Sequence, residues 1–150
     1  MLPVEQLSDI PLFFDLPQYH LSALAEHASN TSIARNDYLI RQHDRAQWLF
    51  FLRSGRVQFL MEFAGAEPLL VGIEYLPGAL IGWSAFRPPY RYTVSVRCEQ
   101  DCEFLVLEAE AVTDVFKRDP LVAFNILERV SEVLAERFES ARELLLTPGN

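Results

Sequence analysis

Between Tyr38 and Leu107 the chain is a series of short apolar runs cut by turn residues at close intervals. Such a pattern suits a β architecture with many tight connections and little else. Tyr38-Leu39-Ile40-Arg41 reads as a strand, and His43-Asp44-Arg45-Ala46 as a polar turn. Trp48 to Leu52 is a dense apolar strand that Ser54-Gly55 turns back into Val57-Gln58-Phe59-Leu60-Met61. Ala64-Gly65-Ala66 leads to Leu69-Leu70-Val71-Gly72-Ile73, and Pro77-Gly78 precedes Ala79-Leu80-Ile81-Gly82. After an irregular stretch to Pro89, strands are expected at Tyr92 to Cys98 and Phe104 to Leu107. About eight short strands at regular spacing predict a sandwich, jelly roll or barrel.

The period changes at both ends. Gln18 to Ala28 predicts an amphipathic helix, with Leu21, Leu24 and Ala28 on one face, and Asn30 and Asn36-Asp37 as turns around a short strand. Ala109 to Lys117 predicts a short helix punctuated by Asp119-Pro120. From Leu121 to Leu146 there is neither Gly nor Pro, and Phe124, Leu127, Val130, Leu134, Phe138, Ala141 and Leu145 recur at spacings of three and four. Thr147-Pro148-Gly149-Asn150 ends the pattern. A helix of that span is about 39 Å long, more than one small roll covers. The stripe from Leu127 to Leu145 (Leu127, Val130, Leu134, Phe138, Ala141, Leu145) is therefore expected to meet a second copy in a two-fold dimer, with the two Leu134 positions near the seam. The alternative is a helix folded entirely onto its own domain.

At 150 residues the chain suits one domain over 1–150, with a β region at about 30–108 and helices at about 109–146. No apolar run approaches the ~18 residues of a membrane helix, and the start Met1-Leu2-Pro3-Val4-Glu5 lacks a basic, apolar leader. The expected location is the cytoplasm. The formal charge of −8 argues against direct DNA binding. Cys98 and Cys102 read as free thiols, since cytosolic disulfides are rare, with a redox pair across the tight turn as the alternative. With His20, His27 and His43 they make no metal-site pattern.

Three stretches resemble the cyclic-nucleotide-binding domain, as in the effector halves of Crp/Fnr-type bacterial regulators, over roughly residues 7–145. They are Tyr38-Leu39-Ile40-Arg41-Gln42-His43-Asp44, where the family usually has glycine at the His43 position, Leu49-Phe50-Phe51-Leu52-Arg53-Ser54-Gly55-Arg56-Val57, and Leu76-Pro77-Gly78-Ala79-Leu80-Ile81-Gly82. The resemblance implies an eight-stranded antiparallel β-roll of the jelly-roll type, with an N-terminal helix, a short helix and a long C-terminal helix. It also implies a phosphate-binding cassette after Gly82. The family's cassette begins Gly-Glu, where the Glu accepts from the ribose 2′-hydroxyl, and ends at an Arg that pairs with the phosphate. Here it reads Gly82-Trp83-Ser84-Ala85-Phe86-Arg87-Pro88-Pro89-Tyr90-Arg91-Tyr92-Thr93-Val94. Trp83 stands at the Glu position and cannot accept that bond. Tyr92 falls at the Arg position, with Arg91 one residue early.

The candidate ligand residues are Gly82, Trp83, Ser84, Ala85, Arg91, Tyr92 and Thr93. They allow a sensor for a small anion built on Arg91, Ser84 and backbone N–H groups, or a ligand-free member of the fold that serves dimerisation or a protein partner. A third reading is a nucleotide receptor that stacks a base on Trp83. Cyclic AMP and cyclic GMP are expected to bind more weakly than about 10 μM, because a ribose hydroxyl without its acceptor costs roughly 1–3 kcal/mol. No cofactor is implied. An enzyme is not expected: there is no His-x-His, no Gly-x-Ser-x-Gly elbow, no His-Glu-x-x-His and no Gly-x-x-x-x-Gly-Lys loop. The chain stops where Crp/Fnr-type regulators continue into a helix-turn-helix, so a regulator acting through a partner is expected.

Overall fold

The computed structural model describes residues 1–147. The chain opens with α1 (Val4–Ser8), a 3-10 turn (Pro11–Phe13) and α2 (Gln18–Ala25). Eight strands follow: β1 (Ala28–Ile33), β2 (Tyr38–Ile40), β3 (Trp48–Ser54), β4 (Val57–Met61), β5 (Leu69–Glu74), β6 (Leu80–Ile81), β7 (Ser95–Cys98) and β8 (Cys102–Glu108). A second 3-10 turn, Trp83–Phe86, lies between β6 and β7, and the chain finishes with α3 (Ala109–Arg118) and α4 (Pro120–Leu146). The strands form two four-stranded antiparallel sheets, β1-β8-β3-β6 and β2-β7-β4-β5. This is the expected β-roll with its helices.

The dense run in β3 is buried on both faces because each has a cover. Leu49, Phe50, Phe51 and Leu52 are all in the core. Successive residues point to opposite faces of a strand. Phe51 meets Phe13 of the first 3-10 turn at 5.3 Å between ring centroids, and Phe50 meets Phe104 of β8 at 6.4 Å. Gly55 closes the β3–β4 hairpin at φ +107, and a Cβ there would lie 2.9 Å from Asp101 O.

Two sequence expectations shift at the first helix. It ends at Ala25, and Ala28 is instead the first residue of β1, paired with Leu107. Asn30 is not a turn residue but sits within β1, paired with Leu105. β1 is the outer strand of its sheet and mostly exposed, so a polar run is tolerated there. At the other end, the strand expected from Tyr92 begins only at Ser95.

Asp119 caps α4, accepting from Val122 N at 3.4 Å, and Pro120 takes the first helical position. Buried His20 on α2 bonds the same carboxylate through Nε2 at 3.1 Å. Arg129 donates to the carbonyls of Leu12 and Phe14 at 3.1 and 2.8 Å, tying α4 to the N-terminal segment. Thr147 closes the helix with its N–H on Leu144 O and its hydroxyl on Glu143 O. The Pro148-Gly149-Asn150 stop lies outside the described residues.

Candidate functional site

A cavity of about 300 Å³ lies between the roll and the second half of α4. Its apolar wall comes from Ile40, Phe59, Val71, Ile73, Val94 and Val96 of the second sheet and its flanks. Ile81, Gly82, Trp83 and Ser84 form one side, and Glu136, Arg137, Ser140 and Ala141 of α4 close it. Gly82 stands at φ +95 as the chain leaves β6. A Cβ there would lie 3.0 Å from Trp48 O and 3.3 Å from Tyr92 Cε1, so both conformation and space call for glycine.

The cassette residues separate into two groups. Gly82, Trp83, Ser84, Tyr92 and Thr93 line the cavity. Ala85 and Arg91 do not. Ala85 is buried on the far side of the 3-10 turn, against a groove shared with Trp48 and Ala109. Arg91 is exposed, its backbone pairs with that of Arg45 in an isolated antiparallel β-bridge, and its side chain donates to His43 O at 3.4 Å. Tyr92 explains this placement. Its N–H donates to Asp44 O, its carbonyl accepts from His43 N, and its hydroxyl donates to Trp48 O at 2.8 Å. These bonds turn Tyr92 inward and its neighbour outward. Burial pushes the Tyr92 hydroxyl up to about 12, so it stays a neutral donor committed to Trp48.

The cation in the cavity wall is Arg137. Its guanidinium lies over the Phe59 ring at 4.5 Å, donates to Leu80 O, and faces Glu74 Oε1 at 3.6 Å. Burial pushes Arg137 below the usual guanidinium range, and the Glu74 charge pulls it back. Glu74 is held from behind, where Oε2 accepts from Tyr75 N at 3.0 Å and Leu76 N at 3.2 Å. Sequence reasoning missed both residues. A signal existed for Arg137, because it falls on the same helix face as Ile126, Val130, Leu134 and Ala141. Glu74 ends a strand and carries no comparable signal.

The long-helix stripe also separates. Val130 is buried with Ile126 in the domain's own core, Leu134 packs partly against it, and Ala141 lines the cavity. Leu127, Phe138 and Leu145 are exposed, as are Leu121 and Phe124. Val130 therefore serves its own domain, and the outward apolar face is narrower than the sequence stripe. Among the described residues no three His, Cys, Asp or Glu side chains converge as a metal site, and no helix is long and apolar enough to cross a membrane.

A family model for the cyclic nucleotide-binding domain matches residues 30–119. No curated protein matches the chain significantly by sequence. Among solved structures, a putative cyclic nucleotide-binding protein from Geobacter metallireducens superposes with a TM-score of 0.78 at 20% identity, covering 92% of this chain and 99% of that one. The sensor domain of the transcriptional regulator DNR from Pseudomonas aeruginosa gives 0.76 at 16% identity, covering 90% of each. The catabolite activator protein of Thermus thermophilus gives 0.68 at 24%, covering 90% of this chain and 61% of that one. At these identities the likeness carries the fold.

Proposed function

The chain belongs to the cyclic nucleotide-binding domain family, and from that premise we propose that it is a regulatory domain that binds a small anionic ligand in the cavity and signals through α4. The observation that supports this reading is Arg137, a cation carried by α4 and presented to a cavity whose sheet-side wall is apolar. A ligand that engages it touches the roll and the long helix at once. The anion site is thus built on Arg137 with Gly82, Ser84, Thr93 and Trp83 nearby, and Arg91 has no part in it. We further propose that residues 1–150 act as one domain in the cytoplasm, by binding rather than by catalysis, and without direct contact to DNA. The signal passes to a second copy or a protein partner through the exposed face of Leu127, Phe138 and Leu145.

The ligand-free alternative draws support from one contact: Arg137 already has Glu74 and Leu80 O as partners, so the cavity is self-neutralised. A thermal-shift panel of small carboxylates, phosphates and cyclic nucleotides separates the two readings. The sensor reading predicts a stabilising anion whose effect disappears in Val71→Trp, which fills the cavity. A panel without any shift, from a protein that still dimerises, supports the ligand-free module.

A further inference from the structure

The cavity's chemistry narrows the class of anion. Its wall is apolar and aromatic on the sheet side, and its charged lining is Arg137 with Glu74 and Glu136. One cation beside two carboxylates disfavours a dianion such as a phosphate monoester. A cyclic phosphodiester carries one charge, but at the position where the family's Glu accepts from the ribose it would meet Trp83, whose ring offers no acceptor.

Arg137 has capacity to spare. A guanidinium carries five N–H donors. Arg137 donates to Leu80 O and faces Glu74 Oε1 at 3.6 Å, a long contact, so these two partners leave donors of the fork available. The Phe59 ring, 4.5 Å from the guanidinium carbon, backs the fork on one side. Glu74 does not depend on Arg137 for its position, since Oε2 keeps two backbone N–H donors. Glu74 side-chain exposure of 20% leaves it a route to water if the pairing is given up.

Resting on the small-anion reading of this site, we propose that the ligand is a small monocarboxylate with an apolar aryl or branched-alkyl body, and that its carboxylate replaces Glu74 as the partner of Arg137. The apolar body lies among Phe59, Val71, Ile73 and Trp83, and the carboxylate meets the guanidinium fork in two-point geometry. The predicted consequence is specific. Glu74 competes with the ligand, so removing its charge strengthens binding, whereas removing Arg137 weakens it.

The test is calorimetry on the full chain with phenylacetate, 4-methylpentanoate, neutral phenylacetamide, inorganic phosphate and cyclic AMP. Phenylacetate or 4-methylpentanoate should bind, with phenylacetamide at least about tenfold weaker than phenylacetate, as expected for loss of a charged hydrogen-bonded pair. Arg137→Gln should lose about tenfold for the acid and nothing for the amide. Glu74→Gln should bind the acid several-fold more tightly, an outcome that misfolding cannot imitate. Equal binding of acid and amide overturns the carboxylate anchor. Unchanged or weaker binding by Glu74→Gln overturns the exchange of partners. Binding of phosphate or cyclic AMP in preference to both acids overturns the ligand class while the small-anion reading stands, and no binding by any probe removes both.

Discussion

His43 stands where relatives usually carry glycine, and its backbone shows why glycine suits that position. It sits at φ +76, in the left-handed region that side chains rarely adopt. Its N–H donates to Tyr92 O at 2.9 Å, so the turn is pinned against the cavity wall. His43→Gly should relieve the strain of ~1–2 kcal/mol, partly offset by the ~0.5–1 kcal/mol entropy of a freer unfolded chain. A net gain on the order of 0.5 kcal/mol in urea unfolding is expected, and a clear loss would show that the imidazole itself holds the turn. At Asp119, the His20 bond holds the carboxyl below its ordinary 3.8, aided by Val122 N. A lowered acid stabilises the fold above its unfolded value and ceases to do so as pH falls through the folded one. The stability advantage over Asp119→Asn should therefore be full at neutral pH and close only below about pH 4. A gap that persists in strong acid would contradict this. Cys98 and Cys102 are buried free thiols, and burial with the neighbouring Cys102 pushes Cys98 up to about 12. Both should resist alkylation in the folded protein and react after denaturation, as read by mass spectrometry.

At the scale of elements, α4 shows how a legible pattern can mislead. The spacing of three and four along Leu121–Leu146 was enough to define a helix, and it is one, of 27 residues from Pro120. It was not enough to say which apolar residues serve which neighbour. Ile126 and Val130 turn to the domain's own core, while Leu127, Phe138 and Leu145 turn away. A helix with two apolar arcs gives a single broad stripe in sequence, and only packing divides it. The double change Phe138→Glu and Leu145→Glu alters exposed positions. It is predicted to give a monomer by light scattering while unfolding stability of the domain stays within about 0.5 kcal/mol. An unchanged dimer would move the contact elsewhere, and an unmodified protein that is already monomeric would remove it. β1 is the opposite case. Ser29, Asn30, Thr31 and Ser32 carry turn-like chemistry, yet they form an exposed edge strand whose order comes from pairing with β8. No local signal announces that partner.

For the molecule as a whole, the roll was readable because its turns and apolar strands carry local chemistry. Ser54-Gly55 and Pro77-Gly78 lie at the observed turns, and Trp48 to Leu52 lies inside β3. The candidate site was readable only along the cassette, where Gly82, Trp83, Ser84, Tyr92 and Thr93 do reach the cavity. Arg91 faces away from the cavity because Tyr92 takes the inward position, three residues before β7 begins at Ser95. Arg137 and Glu74 reach the cavity from distant parts of the chain, and their meeting depends on how α4 crosses β5 and β4. We propose that this cyclic-nucleotide-binding fold holds a cavity unsuited to the cyclic nucleotides themselves. On this proposal a ribose hydroxyl at Trp83 would lack its acceptor, at a cost of roughly 1–3 kcal/mol, and Arg91, outside the cavity, would not reach the phosphate. Calorimetric titration of the unmodified protein with cyclic AMP and cyclic GMP tests this most directly. The predicted dissociation constants are weaker than about 10 μM for both. A submicromolar constant for either would show that the cavity does take a cyclic nucleotide, with a base stacked on Trp83.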